Sequence, residues 1–136
     1  MRPGAPVGFG SLRDVPWIGL PGNPVSAMVT FELFARPAIR LMSGHQLPFR
    51  RSTPVRVAER ISLTPRLQHF LRAIVTEGTD GLEARLTGPQ GSGILTSMAR
   101  ANALLVVPEG RFEISAGTAL QAMILDDRIH QAAPGF

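Results

Sequence analysis

The spacing of apolar and polar positions changes once along the chain. From Pro24 to Met42 apolar residues recur every three or four positions. Met28, Phe31, Ala35, Ile39 and Met42 fall on one face, and Ser26, Thr30, Arg36 and Arg40 on another, which predicts an amphipathic helix packed on a sheet. Pro37 removes the hydrogen bond to the Leu33 carbonyl and predicts a kink, and Gly44 a stop. Glu32 and Arg36, four apart, read as an exposed ion pair. Past the Pro48, Arg50-Arg51 and Pro54 stretch, which reads as a linker over 45–54, the period becomes two. Segments 54–62, 68–77, 82–87, 103–107 and 118–125 read as strands, divided by turn signals such as Gly78-Thr79-Asp80-Gly81 and Pro108-Glu109-Gly110. Short strands so spaced predict a small β-barrel or sandwich, with a hairpin at Asp80-Gly81. Upstream, Val7-Gly8-Phe9-Gly10 and Val15–Ile18 are short strand-like pieces around a polar turn. Residues from Asp126 onward carry no pattern and read as frayed.

Between the second strand-like piece and the helix lies Gly19-Leu20-Pro21-Gly22-Asn23-Pro24-Val25-Ser26, a strand-to-helix turn. Asn23 is a natural N-cap and Pro24 a natural first helical residue. Such a helix start offers backbone N–H groups, and Ser26 adds a hydroxyl, so a small oxyanion could settle there. A well-capped connection with no ligand is the alternative reading.

Composition narrows the chemistry. The 136 residues contain no cysteine, which excludes disulfides, thiolate zinc sites and thiol nucleophiles. His45, His69 and His130 are too far apart to form a local metal motif. No window approaches the ~18 apolar residues of a membrane span, and no signal peptide is visible, so the expected location is the cytoplasm. All 14 basic residues are arginine, giving a net charge of +4. Arginine binds oxyanions through a planar fork, but scattered arginines ordinarily form a solvated surface. A basic barrel could also bind nucleic acid, yet only Phe70 and Phe112 lie in or near the barrel strands as stacking platforms, so no nucleic-acid partner is expected.

Arg72 stands out because period two puts it between Phe70 and Ile74 on one face of its strand. A charge among apolar neighbours needs a carboxylate, a carbonyl or a bound anion. Glu59 or Glu83 could supply an ion pair; a ligand is the other possibility. Downstream, Gly88-Pro89-Gln90-Gly91-Ser92-Gly93 frees the backbone for close approach, with Gln90, Ser92 and Ser97 as neutral donors. Residues 94–100 could add one helical turn.

Three blocks, Arg2-Pro3-Gly4-Ala5-Pro6, Gly19 to Ala27 and Gln90 to Asn102, together resemble the C-terminal part of the molybdopterin molybdenumtransferases. These are the MoeA-type enzymes, whose relatives include the E domain of gephyrin. The resemblance implies an α+β fold: the C-terminal strand-helix piece of a three-layer αβα (MoaB/Mog-like) domain over residues 1–45, a small all-β barrel-like domain over 46–127, and a disordered tail over 128–136. It implies insertion of molybdate into adenylylated molybdopterin with release of AMP, magnesium dependence and a homodimer. Magnesium ligands are not recognisable in this chain. Arg2, Ser26, Arg72, Ser92 and Ser97 would bind molybdate, and Pro21, Gly22, Asn23 and Pro24 would form the molybdopterin loop. No residue is assigned as catalytic and none as a metal ligand. The family's Pro-Gly-x-Pro loop is flanked by two lysines; Arg2 and Ala5 stand at those positions, so one basic group is altered and one absent. Met1 leads straight into this loop, which reads as the middle of a domain. The upstream pterin-binding motifs are absent, so the chain alone is expected to be inactive. A non-catalytic structural or dimerisation role is the competing reading.

Overall fold

The computed structural model describes residues 7–64, 67–90, 95–125, 130–131 and 134–136. Its first unit is an antiparallel hairpin of β1 (Gly8–Leu12) and β2 (Val15–Gly19), in which Leu12 pairs with Val15. The two intervening residues, Arg13 and Asp14, both have positive φ, 50° and 64°, as a tight hairpin turn of matching twist requires.

The helix follows, in three joined parts: α1 (Pro24–Thr30), one wide π-helical segment (Phe31–Ala35) and α2 (Arg36–Met42). Proline at position 37 has no N–H to offer, and just before it the ladder widens: the Arg36 N–H bonds back five residues to the Phe31 carbonyl. The expected kink is therefore an inserted wide turn. At the far end Gly44 takes φ +86°. The Gly44 N–H bonds to the Leu41 carbonyl and the His45 N–H to that of Arg40, closing a Schellman cap.

The wide turn shifts the phase of the helix, and its packed face differs from the one expected. Met28, Phe31, Ile39 and Met42 are 38–64% exposed, whereas Val25, Val29 and Leu33 are buried. Of the expected face only Ala35 is buried, and Thr30, expected on the polar side, is fully buried. Val25, Val29 and Leu33 recur every fourth residue too, so the helix carries two apolar stripes and tertiary packing selects between them.

A closed five-stranded barrel forms the second unit, from β4 (Ser52–Val57), β6 (His69–Gly78), β7 (Gly81–Leu86), β8 (Ala103–Val107) and β10 (Ala119–Ile124). Going round, the order is β10-β4-β7-β6-β8, antiparallel throughout except where β4 lies parallel to β7. Closure gives each barrel strand a neighbour on both sides. Val55, Val57, Leu71, Ala73, Ala84, Leu105, Val107 and Ala122 fill the interior. β5 (Ile61–Ser62) and β9 (Glu113–Ile114) pair beside it, and α3 (Leu95–Arg100) follows β7.

The helix lies on the outside of this barrel. Val29 and Leu33 form a second apolar cluster with Phe70, Met98, Leu104, Val106 and Met123. β8 is thus buried on both faces, which explains its unbroken run Ala-Leu-Leu-Val-Val. The αβα layering expected for residues 1–45 is absent among the described residues. They form a hairpin and a helix, and the surface on which the helix packs belongs to the barrel.

Two stretches expected to lack regular structure pair with each other: β3 (Phe49–Arg50), within the linker, and β11 (His130–Gln131), within the tail. Phe136 also packs edge-on against Phe34 and Phe70, with ring centroids 6.4 and 5.6 Å apart. Glu32 forms a two-pronged ion pair with Arg50, at 2.6 and 3.2 Å, while Arg36 stands 3.9 Å away. The Glu32 and Arg50 side chains are both 15% exposed, so the main partner of Glu32 is a strand residue and the pair is largely sheltered. Burial, followed by repulsion from Arg50, pushes the Arg36 guanidinium below its ordinary range despite the attraction of Glu32.

Candidate functional site

β6 sends Leu71, Ala73 and Val75 into the barrel interior, and period two therefore places Arg72 on the outer face, two residues from Phe70 and opposite Leu104. The outer face is covered here, and Arg72 is 4% exposed. Its Nε donates to Ser97 Oγ at 2.6 Å, and its Nη2 donates to the Pro89 carbonyl at 3.4 Å. Ser97, in α3, is 3% exposed and immediately precedes Met98, which sits in the apolar cluster beneath the helix. That cluster therefore helps to hold α3 where Ser97 meets Arg72. Burial pushes the Arg72 guanidinium below its ordinary range.

The ion-pair partners suggested for Arg72 have other contacts. Glu59 Oε1 accepts the Leu86 N–H at 3.0 Å. The Glu83 side chain lies over Gly78, so close that a Cβ there would meet it at 2.7 Å.

The segment after β7 folds back on the Arg72 backbone. Thr87 donates its N–H to the Arg72 carbonyl at 3.1 Å and its hydroxyl to the same oxygen at 3.3 Å. Gly88, at φ +114°, makes the turn that returns the chain. Gln90 then accepts the Arg72 N–H on Oε1 at 2.8 Å and donates Nε2 to the Arg72 carbonyl at 3.1 Å. Asn102 makes an analogous contact at the other edge of β6, accepting the Val75 N–H at 2.7 Å and donating to its carbonyl at 2.9 Å.

The start of α1 is occupied by its own cap. Asn23 Oδ1 accepts the N–H groups of Val25 and Ser26 at 3.1 and 3.2 Å, and the Asn23 carbonyl accepts that of Ala27 at 2.8 Å. Pro24 has no N–H. The donors expected to be open at this helix start are thus largely committed within the turn, and the Ser26 hydroxyl is what it presents. Pro21 is buried and Gly22 exposed in the same turn.

Of the residues singled out in the sequence, the structure brings Arg72 and Ser97 into direct contact, with Gln90 beside them. Ser26 belongs to the neighbouring helix, whose Val29 shares a cluster with Met98, and no contact joins it to Arg72 among those described. Arg2 and Ser92 lie outside the described residues. The double backbone contact of Gln90 and that of Asn102 have no signature in spacing or periodicity, because each depends on how two segments cross. No group of three His, Cys, Asp or Glu side chains able to hold a metal ion occurs among the described residues, and none of their helices is long and apolar enough to cross a membrane.

Residues 54–125 match the family model for the MoeA C-terminal region (domain IV), which covers over half of the chain. Molybdopterin molybdenumtransferase 2 of Mycobacterium tuberculosis is 38% identical over 121 residues, 89% of this chain and 29% of that protein. Molybdopterin molybdenumtransferase 1 of the same organism is 39% identical over 132 residues, 92% of this chain and 31% of that protein. The chain thus spans about three tenths of the length of these relatives. Among solved structures, the molybdopterin biosynthesis moeA protein of Pyrococcus horikoshii OT3 superposes with a TM-score of 0.73 at 27% identity, covering 90% of this chain and 30% of that one.

Proposed function

The chain belongs to the MoeA family, and on that premise we propose that it is the C-terminal part of an enzyme of molybdenum cofactor biosynthesis, one that inserts molybdate into adenylylated molybdopterin and releases AMP. The observation that carries this reading is the Arg72–Ser97 pair: a guanidinium and a hydroxyl, both nearly inaccessible, joined at 2.6 Å on the outer face of the barrel. Ser97 Oγ accepts from Arg72, so a neutral hydroxyl and a charged guanidinium meet at one place. A tetrahedral oxyanion is the natural complement to such a set, since charge-assisted hydrogen bonds are strongest where water is excluded. The work of the site is positioning and electrostatics. Molybdate is the substrate here. Magnesium, implied by the family, finds no fitting donor set among the described residues.

Arg2, Ser26 and Ser92 complete the proposed anion ligands, and Pro21, Gly22, Asn23 and Pro24 the proposed molybdopterin loop. Both need the pterin-binding part of a longer protein, so this chain alone is proposed to be inactive in insertion. We further propose that residues 1–45 continue an αβα domain of that longer protein, and that the protein is a cytoplasmic homodimer. The exposed Phe9, Leu12, Val15 and Trp17 of the hairpin support an associating surface.

Calorimetric titration of molybdate into the parent, Arg72→Ala and Ser97→Ala proteins tests the reading. Arg72→Ala removes charge-assisted bonds worth about 1.5–3 kcal/mol, against about 0.5–1.5 kcal/mol for the neutral hydroxyl. The arginine variant should lose more affinity, and equal binding by parent and Arg72→Ala would remove the barrel's claim to a site.

A further inference from the structure

Arg72 lies where the β6–β7 ladder ends. The last regular pair toward β7 is Ala73 with Leu86, so the N–H and carbonyl of Arg72 on that edge need partners from elsewhere. Thr87 serves the carbonyl. The N–H is served by a side chain, that of Gln90, which also donates to the same Arg72 carbonyl. A carboxamide has the acceptor and donor geometry of a peptide group, and here it stands in for the next residue of β7. Its second N–H is not idle, because Nε2 also lies 3.0 Å from the Gly88 carbonyl. One amide therefore binds three backbone groups and ties the end of the Thr87–Gln90 turn to the residue that the turn encloses.

We propose that Gln90 is a positioning residue for Arg72, fixing the backbone from which its guanidinium reaches Ser97 and the oxyanion. The proposal rests on the reading of Arg72 as an anion ligand and deepens it. An arginine side chain has several rotatable bonds, so a small rotation of its backbone is amplified at the guanidinium. Held at its base by Gln90, and at its tip by Ser97 Oγ and the Pro89 carbonyl, Arg72 is restrained at both ends. Glutamate cannot replace Gln90. Its carboxylate would still accept the Arg72 N–H, but it has no proton to give the carbonyls of Arg72 and Gly88 and would face both with like partial charge.

The test is a double-mutant cycle on molybdate affinity with Gln90→Ala, Arg72→Ala and the double variant, accompanied by amide hydrogen exchange. Gln90→Ala should weaken molybdate binding about tenfold, the scale of one charge-assisted bond lost. In the Arg72→Ala background it should cost nothing further, because its effect passes through Arg72. Exchange at the Arg72 N–H should speed up at least about tenfold in Gln90→Ala, while the Ala73 N–H, bonded in the regular ladder, stays protected. A general loss of structure would speed both and would weaken binding equally in both backgrounds, and either result overturns the proposal. If Gln90→Ala fails to fold, Gln90→Leu, close in volume and without polar side-chain atoms, gives the same readings. Should the parent bind no molybdate, the anion reading of Arg72 fails and with it the proposed purpose. The exchange data then report separately on the clamp, whose existence is refuted if the Arg72 N–H remains protected without Gln90.

Discussion

Leu33→Ala separates the packing seen in the structure from the packing that the helical periodicity first indicates. Leu33 is 1% exposed and sits with Val29, Phe70, Met98, Leu104, Val106 and Met123 between the helix and the barrel. Truncation to alanine removes three carbons, worth about 0.8 kcal/mol each, or about 2.4 kcal/mol of transfer free energy. The six other buried side chains of this cluster cannot all collapse into the gap, so a cavity term adds to this and the expected loss is about 2.5–5 kcal/mol. At this chain length that amounts to a fall in Tm on the order of 10 °C. Phe31→Ala is the control: Phe31 is 38% exposed on the opposite stripe, and its loss should cost less than about 1.5 kcal/mol. Urea unfolding followed by circular dichroism measures both, with a common slope confirming a shared two-state transition. If Phe31→Ala costs more than Leu33→Ala, the helix packs through the other stripe and the assignment of the second cluster is wrong.

Two further outcomes are expected. The Glu113 carboxylate accepts Ser62 Oγ at 2.5 Å and is gripped by Arg60, contacts that hold its pKa below the ordinary glutamate value, the serine bond contributing most. A depressed folded-state pKa gives stability that is present above the unfolded pKa and lost as pH falls through the folded one. A carbon-detected titration of Glu113 should therefore show a lowered midpoint that rises in Ser62→Ala, and an unmoved midpoint would sink the assignment. Sedimentation at micromolar concentration should show the chain associating through its apolar hairpin, and Trp17→Ser should shift it toward monomer. A parent that sediments as a sharp monomer argues against that surface.

The strands were legible because alternation is a local signal. Residues such as Leu71, Ala73 and Val75 declare their face without reference to any partner, and β6, β7, β8 and β10 fall within one or two residues of their expected limits. The Asn23 cap and the Gly44 stop were legible for the same reason, since each satisfies its neighbours within a turn. What the sequence left open depends on elements far apart meeting. The parallel contact of β4 with β7 that closes the barrel has no local signature. Neither has the preference of Glu32 for Arg50, 18 residues away, over Arg36 at the favourable helical spacing. Periodicity does not single out the packed face of the helix, because two stripes are equally periodic and a wide turn shifts the phase between them. Arg72 was visible as a charge among apolar neighbours. The clamp on its backbone was not, since Gln90 in a glycine-rich loop looks like any other polar residue.

The placement of Arg72 also gives the outer face of the barrel a double use. Along β6 that face carries Phe70 and then Arg72, one buried against the helix cluster and the other against Ser97. Desolvating a guanidinium opposes folding, and the Ser97 hydroxyl and the Pro89 carbonyl offset part of the cost. The cluster supplies the compensating energy next door. Met98 anchors α3 to the apolar face, Ser97 is the adjacent residue, and Phe70 is anchored two residues before Arg72. The residues that fasten the helix to the barrel are thus the ones that keep Arg72 and Ser97 together. A loosened cluster lets water reach the guanidinium and weakens the field an oxyanion would feel. Leu33→Ala, though it touches neither side chain, should then lower molybdate affinity as well as stability. A change such as Phe112→Ala, at a half-exposed position outside this cluster, should leave affinity where it was. If both variants bind molybdate alike, stability and site are separable, and the helix only covers the barrel.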